Sequence, residues 1–253
     1  MTRRWPSSAA PLLGFATLVA AFVLLEVLIR AGAINRFVVP LPSQVIAAIP
    51  RIVLEEDIPH RFWQTTQEAL WASGMLVVAG VGVGMLMFRF RLLRSACETW
   101  VAALASAPVV LMYPLFLVIF GRSETTIIMM GFVAGLPAVI LKTLEGLAGT
   151  RRVLIDVGRS FKLTEVQLFW KIFFPAALPT MFVGLRLGMI FALINIVGVE
   201  FLINFGGLGQ LINDLAERYD LPGTYAAICF VILVSVCFFF VTDRVEKWLR
   251  PAD

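Results

Sequence analysis

The chain carries little charge and very few residues able to hold a metal or attack a bond. Charged residues are 15% of the 253, where soluble proteins average about 25%. His60 is the single histidine, which excludes multi-histidine metal sites and argues against a Ser/His/Asp triad. Three cysteines exclude a disulfide framework, and Cys229 and Cys237 lie in an apolar run where thiols act as small hydrophobes. No Gly-Lys pair occurs, so the chain has no P-loop to cradle phosphates. Internal repeats, low-complexity tracts and a soluble domain are also missing. These absences argue against an enzyme, a resident cofactor or metal, and a nucleic-acid binder.

What remains is apolar surface, at 60% of residues. Ala69 to Phe88, Thr99 to Gly121 and Leu221 to Thr242 contain no charged residue, and each is as long as the roughly 20 residues that cross a bilayer core. Pro11 to Ile29, Thr125 to Leu141 and Pro179 to Ile203 follow, interrupted only by Glu26, Arg186 and Glu200. The runs lack strand alternation, and lipid admits only helices or closed barrels. The expectation is an all-α polytopic membrane protein, one domain over 1–253, with six transmembrane helices near 11–29, 66–88, 97–120, 125–143, 179–203 and 222–243.

With both termini cytoplasmic, the inner segments hold about two-thirds of the 21 Lys and Arg, including Arg3, Arg4, Arg89, Arg91, Arg94, Arg151, Arg152 and Arg250. Topology thus accounts for the net charge of +4. Arg3, Arg4, an apolar run and the pair Ala31 and Ala33 imitate a signal peptide, but the run exceeds an h-region and contains Glu26. An uncleaved first helix is expected.

Two interruptions stand between spans. Ala31 to Arg61 is external, with a helical stretch from Ser43 to Leu54. Thr143 to Phe174 is cytoplasmic. Within it Val153, Leu154, Val157 and Phe161 recur at helical spacing, with Arg152, Asp156 and Arg159 on other faces. Thr164 and Gln167 have capping-box spacing, and Leu168, Phe169 and Ile172 form the next apolar stripe. This helix-turn-helix over 152–174 either lies on lipid headgroups or seats its apolar face in a partner.

Several intramembrane residues have two readings. Glu200 is a pathway or gate residue, or it makes a structural hydrogen bond, with Asn204 one turn on as the candidate partner. Asn195 lines a pathway or bonds a neighbouring helix. Pro108 and Pro114 kink helix three, statically or as part of a translocation path. Arg186 near the inner interface reads as an anchor. Gly80, Gly82 and Gly84 read as a close-packing face, with an alternate spacing set apart from G-x-x-x-G.

The cytoplasmic segment resembles the signature of permeases of ABC-type importers: E-A-A, a glycine four residues on, then a distant apolar residue and proline. Aligned from Phe174 and Pro175, the acidic position is Asp156, the alanines are Val157 and Gly158, and the glycine is Lys162. Leu41, Pro42 and Ser43, with Gln44 where a second proline is usual, are similar to an external L-P-S motif of the sulfonate, taurine and nitrate branch. Pro108 to Gly121, Val199 to Phe201, and Gly206 to Gly209 are similar to further stretches of that branch.

The resemblance implies a type I importer permease of the bacterial inner membrane, forming the solute path. It implies cytoplasmic ATP-binding subunits seated on Asp156, Gly158, Lys162, Thr164, Leu168 and Phe169, an external solute-binding protein, and a second permease chain as homodimer or heterodimer. The solute is then a small anion such as a sulfonate, taurine or nitrate. The path candidates are Asn195, Glu200, Pro108 and Pro114. A left-handed turn at Lys162 is sterically costly where glycine is usual, unless the turn differs. The reading from another class is a membrane-embedded enzyme or assembly factor that uses Glu200 as its acid.

Overall fold

The computed structural model describes residues 9–249, so Arg3, Arg4 and Arg250 of the orientation argument lie outside them. Every regular element among the described residues is helical: α1 Ala9–Arg30, α2 Pro42–Glu55, α3 Ile58–Met75, α4 Val81–Arg89, α5 Arg91–Ser106, α6 Tyr113–Phe120, α7 Glu124–Ala148, α8 Arg152–Ser160, α9 Glu165–Leu168, α10 Phe174–Ile203, α11 Gly207–Glu217 and α12 Leu221–Leu249. Wider π turns at Leu76–Gly80 and Phe169–Phe173 join α3 to α4 and α9 to α10 without a break in the rod.

Among the described residues, four rods are long and apolar enough to cross a bilayer: Ile58–Arg89, Glu124–Ala148, Glu165–Ile203 and Leu221–Arg244. A fifth arises if α5 and the stretch Val109–Phe120 are one span, but these meet at 95°. A continuous helix over 97–120 is therefore not what forms. Ala107 precedes a proline and is driven to an extended ψ of 137°, which ends α5. A 3₁₀ turn over Val109–Met112 then starts the second arm. Pro114 falls in the first turn of α6, where its missing N–H leaves no bond unmade. Of the two prolines, Pro108 makes the elbow and Pro114 only starts a helix.

Two compact units are present. Of the described residues, the first comprises 9–58 and 211–230. In it Ala48 and Ile52 of α2 pack with Leu211, Leu215, Ala226 and Ala227. Glu26 ties α1 to the start of α2 by accepting from the Ser43 amide at 3.1 Å and its hydroxyl at 2.8 Å. Gln44 explains its own place: its side-chain oxygen accepts the Leu41 amide at 3.3 Å, capping α2 where a proline could not. Arg51 pairs with Asp220, whose carboxylate holds the guanidinium above its ordinary pKa.

The second unit comprises, of the described residues, 59–210 and 231–249. Its centre is the seam between α7 and α10, walled by Ile127, Met130, Val139 and Ile196. A Cβ on Gly135 would collide with the Gly188 carbonyl, so the two backbones touch. On α4's side, a Cβ on Gly84 would lie 2.6 Å from the Thr143 Cβ, and one on Gly80 2.8 Å from Val139 Cγ1. Those two glycines are four residues apart, so the G-x-x-x-G pattern is present after all; Gly82 points away from the seam, with nothing within 4 Å. Arg186 of α10 pairs with Asp243 at 2.7 Å and Glu246 at 2.9 Å, fixing the end of α12 by an ion pair where a lone anchor was expected.

Candidate coupling hairpin and cavity

Between α7 and α10 the chain makes a helical hairpin that closes itself with backbone bonds. The Lys162 amide donates to Arg159 O at 2.8 Å and the Leu163 amide to Gly158 O at 3.2 Å, the bonding pattern of a Schellman motif on α8. Lys162 occupies the left-handed position, with φ of 54°. The turn is thus the glycine turn, made by a lysine. Its strain is about 1–3 kcal/mol in general for a non-glycine residue there, offset by the packing around it.

That packing centres on Gly158 and Leu168. A Cβ on Gly158 would lie 2.6 Å from Leu168 Cδ1 and would also strike Ile172. Only glycine lets α8 approach so closely. Leu168 is 2% exposed. At the start of α9 the Thr164 amide donates to the Gln167 side chain at 3.0 Å, and the Gln167 amide to the Thr164 hydroxyl at 3.3 Å, completing the expected capping box. Phe169 stacks edge-on against Trp170 at 5.4 Å, and Phe173 meets Phe88 of α4 at 5.2 Å. Aromatic contacts therefore join the hairpin to the rods.

The residues expected on this segment separate into two sets. Gly158, Thr164 and Leu168 hold the hairpin together, and Lys162 turns it. Asp156 is exposed, and Phe169 is half-buried. The outward surface is made by Val153, Leu154, Val157 and Phe161 of α8, all exposed; Val166 and Trp170 of the following segment are exposed as well. Phe161 is 76% exposed, a large apolar side chain with nothing of this chain over it.

Further along α10, a cavity of about 440 Å³ opens beside the elbow. It is lined by Pro108, Val110, Ala134, Phe191, Asn195 and Gly198, among others. Asn195 is the one polar side chain in that lining, and its amide donates to Phe191 O at 2.9 Å. The cavity brings together Asn195 and Pro108, two of the four path residues expected from sequence. Glu200 and Pro114 do not line it.

Glu200 is instead sealed, at 0% exposed. One oxygen accepts from the Thr65 hydroxyl at 2.6 Å and the other from the Gly209 amide at 2.7 Å. Thr65 in turn accepts the Leu208 amide at 2.9 Å, and Gln64 accepts that of Gly207 at 3.0 Å. Glu68, on the same rod as Thr65, is also buried, at 4% exposed. A side chain on Gly207 would strike the Glu200 carboxyl, and one on Gly209 the Val197 carbonyl. The glycine turn is therefore shaped to lie on the carboxyl and to aim the first amides of α11 at it. Asn204 does not bond Glu200; it ends α10 at φ of 50°, and its carbonyl accepts from Arg122.

Sequence reading did not find Thr65 as a partner of Glu200, nor Glu68 buried on the same rod. The available signal was Glu68 itself, a carboxyl one residue outside a charge-free run. Among the described residues no group of three or more His, Cys, Asp or Glu side chains could hold a metal ion.

Residues 76–251 match the family described as binding-protein-dependent transport system inner membrane component. A probable ABC transporter permease protein of Brucella melitensis is 26% identical, across 100% of this chain and 98% of its own. The taurine transport system permease protein of Escherichia coli is 22% identical across 98% of this chain and 92% of its own. Among solved structures, one of inward-facing conformations of the MetNI methionine ABC transporter matches with a TM-score of 0.65 and 20% identity, covering 75% of this chain and 94% of that one. This last likeness concerns the fold alone.

Proposed function

Given that the chain belongs to the binding-protein-dependent transport system inner membrane component family, we propose that ATP-binding subunits seat on the outward face of its α8–α9 hairpin and that solute moves along the cavity beside Pro108 and Asn195. The chain is the multi-pass membrane permease of an ABC importer, a transport subunit rather than an enzyme. α1, with 22 residues, supplies the sixth span beside the four rods and the bent pair. Both termini then face the cytoplasm, and α8 and α9 lie on that side. A second permease chain completes the path, and a solute-binding protein delivers the solute from outside. The solute is a small anion such as a sulfonate, taurine or nitrate, in keeping with the taurine-transport relative.

The observation that carries the reading is the exposure of Val153, Leu154, Val157 and Phe161 on a hairpin whose turn is closed by backbone bonds. A rigid element with an uncovered apolar face fits an apolar groove of a partner. The test is to purify the tagged permease with its ATP-binding subunits. Val157→Asp with Phe161→Asp places two charges on the contact and abolishes co-purification, while the thermal unfolding of the permease itself stays unchanged. Retention of the ATP-binding subunits by that variant would refute the docking site.

A further inference from the structure

A second cavity, of about 660 Å³, is a groove between α4 and the segment Glu165–Phe173. Its wall is apolar and aromatic, formed by Met85, Leu86, Phe88, Phe169, Trp170 and Phe173. Two charged residues of opposite sign line it: Arg89, in the last turn of α4, and Glu165, in the first turn of α9. Both are exposed, and neither belongs to an ion pair among the described residues. At its other end the groove reaches Gly82, seven residues along the rod from Arg89, or about 10 Å at the helical rise of 1.5 Å per residue.

We propose that this groove binds one phospholipid with a primary-amine headgroup, a phosphatidylethanolamine of the leaflet facing the hairpin. The placement of that leaflet rests on the orientation given above. Depth selects a lipid: a soluble subunit docked on the hairpin stops at the headgroups, whereas an acyl chain extends about 10 Å further, to the level of Gly82. The exposed Trp170 marks the level of the interface, where tryptophan concentrates. Charge selects the headgroup. Arg89 offers the fork that binds a phosphate, and Glu165 offers an acceptor for the three N–H bonds of an ammonium. A choline headgroup has no such donor, and a glycerol headgroup brings no positive charge to Glu165.

The test uses the importer complex reconstituted in nanodiscs of equal parts phosphatidylethanolamine, phosphatidylglycerol and phosphatidylcholine, re-extracted in mild detergent. Retained lipid is counted by native mass spectrometry. The wild type retains phosphatidylethanolamine over phosphatidylcholine by about tenfold, the ratio expected of one charge-assisted hydrogen bond. Glu165→Gln reduces that ratio to about twofold or less by weakening the acceptor. Gly82→Leu fills the deep end and removes retention of all three lipids; because nothing lies within 4 Å of a Cβ there, the fold accommodates it. Equal retention of the three lipids, a preference for phosphatidylglycerol, or full retention by Gly82→Leu would each overturn the proposal. So would a Gly82→Leu variant that keeps its lipid and loses its ATP-binding subunits.

Discussion

At the Glu165 end of the rod Glu165–Ile203, apolar side chains face outward and the backbone closes on itself through Lys162 and the Thr164 cap. At the Glu200 end a carboxyl faces inward and closes the backbone of another segment, the glycine turn before α11. Both ends satisfy their orphan amides, by different means. The first leaves its apolar surface uncovered, which is what a docking element requires. The second leaves nothing uncovered, which is what a structural clamp requires. Buried apolar area therefore fails as a guide to function here; the uncovered area at a well-closed turn is the better one.

Substitutions can break this contrast. Leu168→Ala removes the side chain under Gly158 and should cost about 3 kcal/mol, within the range for large-to-small core changes; loss of hydrogen-exchange protection along α8 measures it. Gly209→Ala forces a Cβ onto the Val197 carbonyl and should cost about 2–3 kcal/mol by overpacking, read as a lower unfolding temperature with the hairpin's protection unchanged. An effect spreading from either site to the other would end the comparison. Thr164→Ala removes the cap of α9 and should cost about 1 kcal/mol. Lys162→Gly relieves the left-handed strain and should gain about 0.5–1 kcal/mol after the entropy of glycine is counted. Phe161→Ala should change stability by less than about 0.5 kcal/mol while weakening the ATP-binding subunits' hold, which separates surface from support at one end of the rod.

The spans were legible because charge-free runs have one explanation in a chain this apolar, but their ends were not. The rod expected near 66–88 begins at Ile58, since Arg61, Gln64, Gln67 and Glu68 are polar yet helical. The helix expected to stop at 143 runs to Ala148, carried past Lys142 by its ion pair with Glu145 at 2.7 Å. The helix expected to start near 179 begins at Phe174, with Pro175 in its first turn. On the hairpin, Thr164 and Lys162 were legible because capping and left-handed turns are local. Leu168 was legible as apolar but not as inward-facing, since periodicity marks a stripe without saying what covers it. The side-chain partner of Glu200, Thr65, is 135 residues away, so no local spacing announces it, whereas the Gly209 amide lies only nine residues on. Gly80 and Gly84 had the right spacing, hidden by the Gly82 between them.

The contact of Gly135 with Gly188 has a mechanical meaning. Gly188 stands at the middle of α10, whose 30 residues give two arms of roughly 21 Å each. With no side chain between them, α7 and α10 cross backbone to backbone at that point, the natural pivot for a tilt of one against the other. A tilt of about 10° carries each tip by roughly 4 Å on arms of that length, and the tips travel in opposite senses. A tilt about that crossing therefore moves the hairpin end and the Glu200 end in opposite senses, less whatever bending Pro179 and the π turn at Phe169–Phe173 take up.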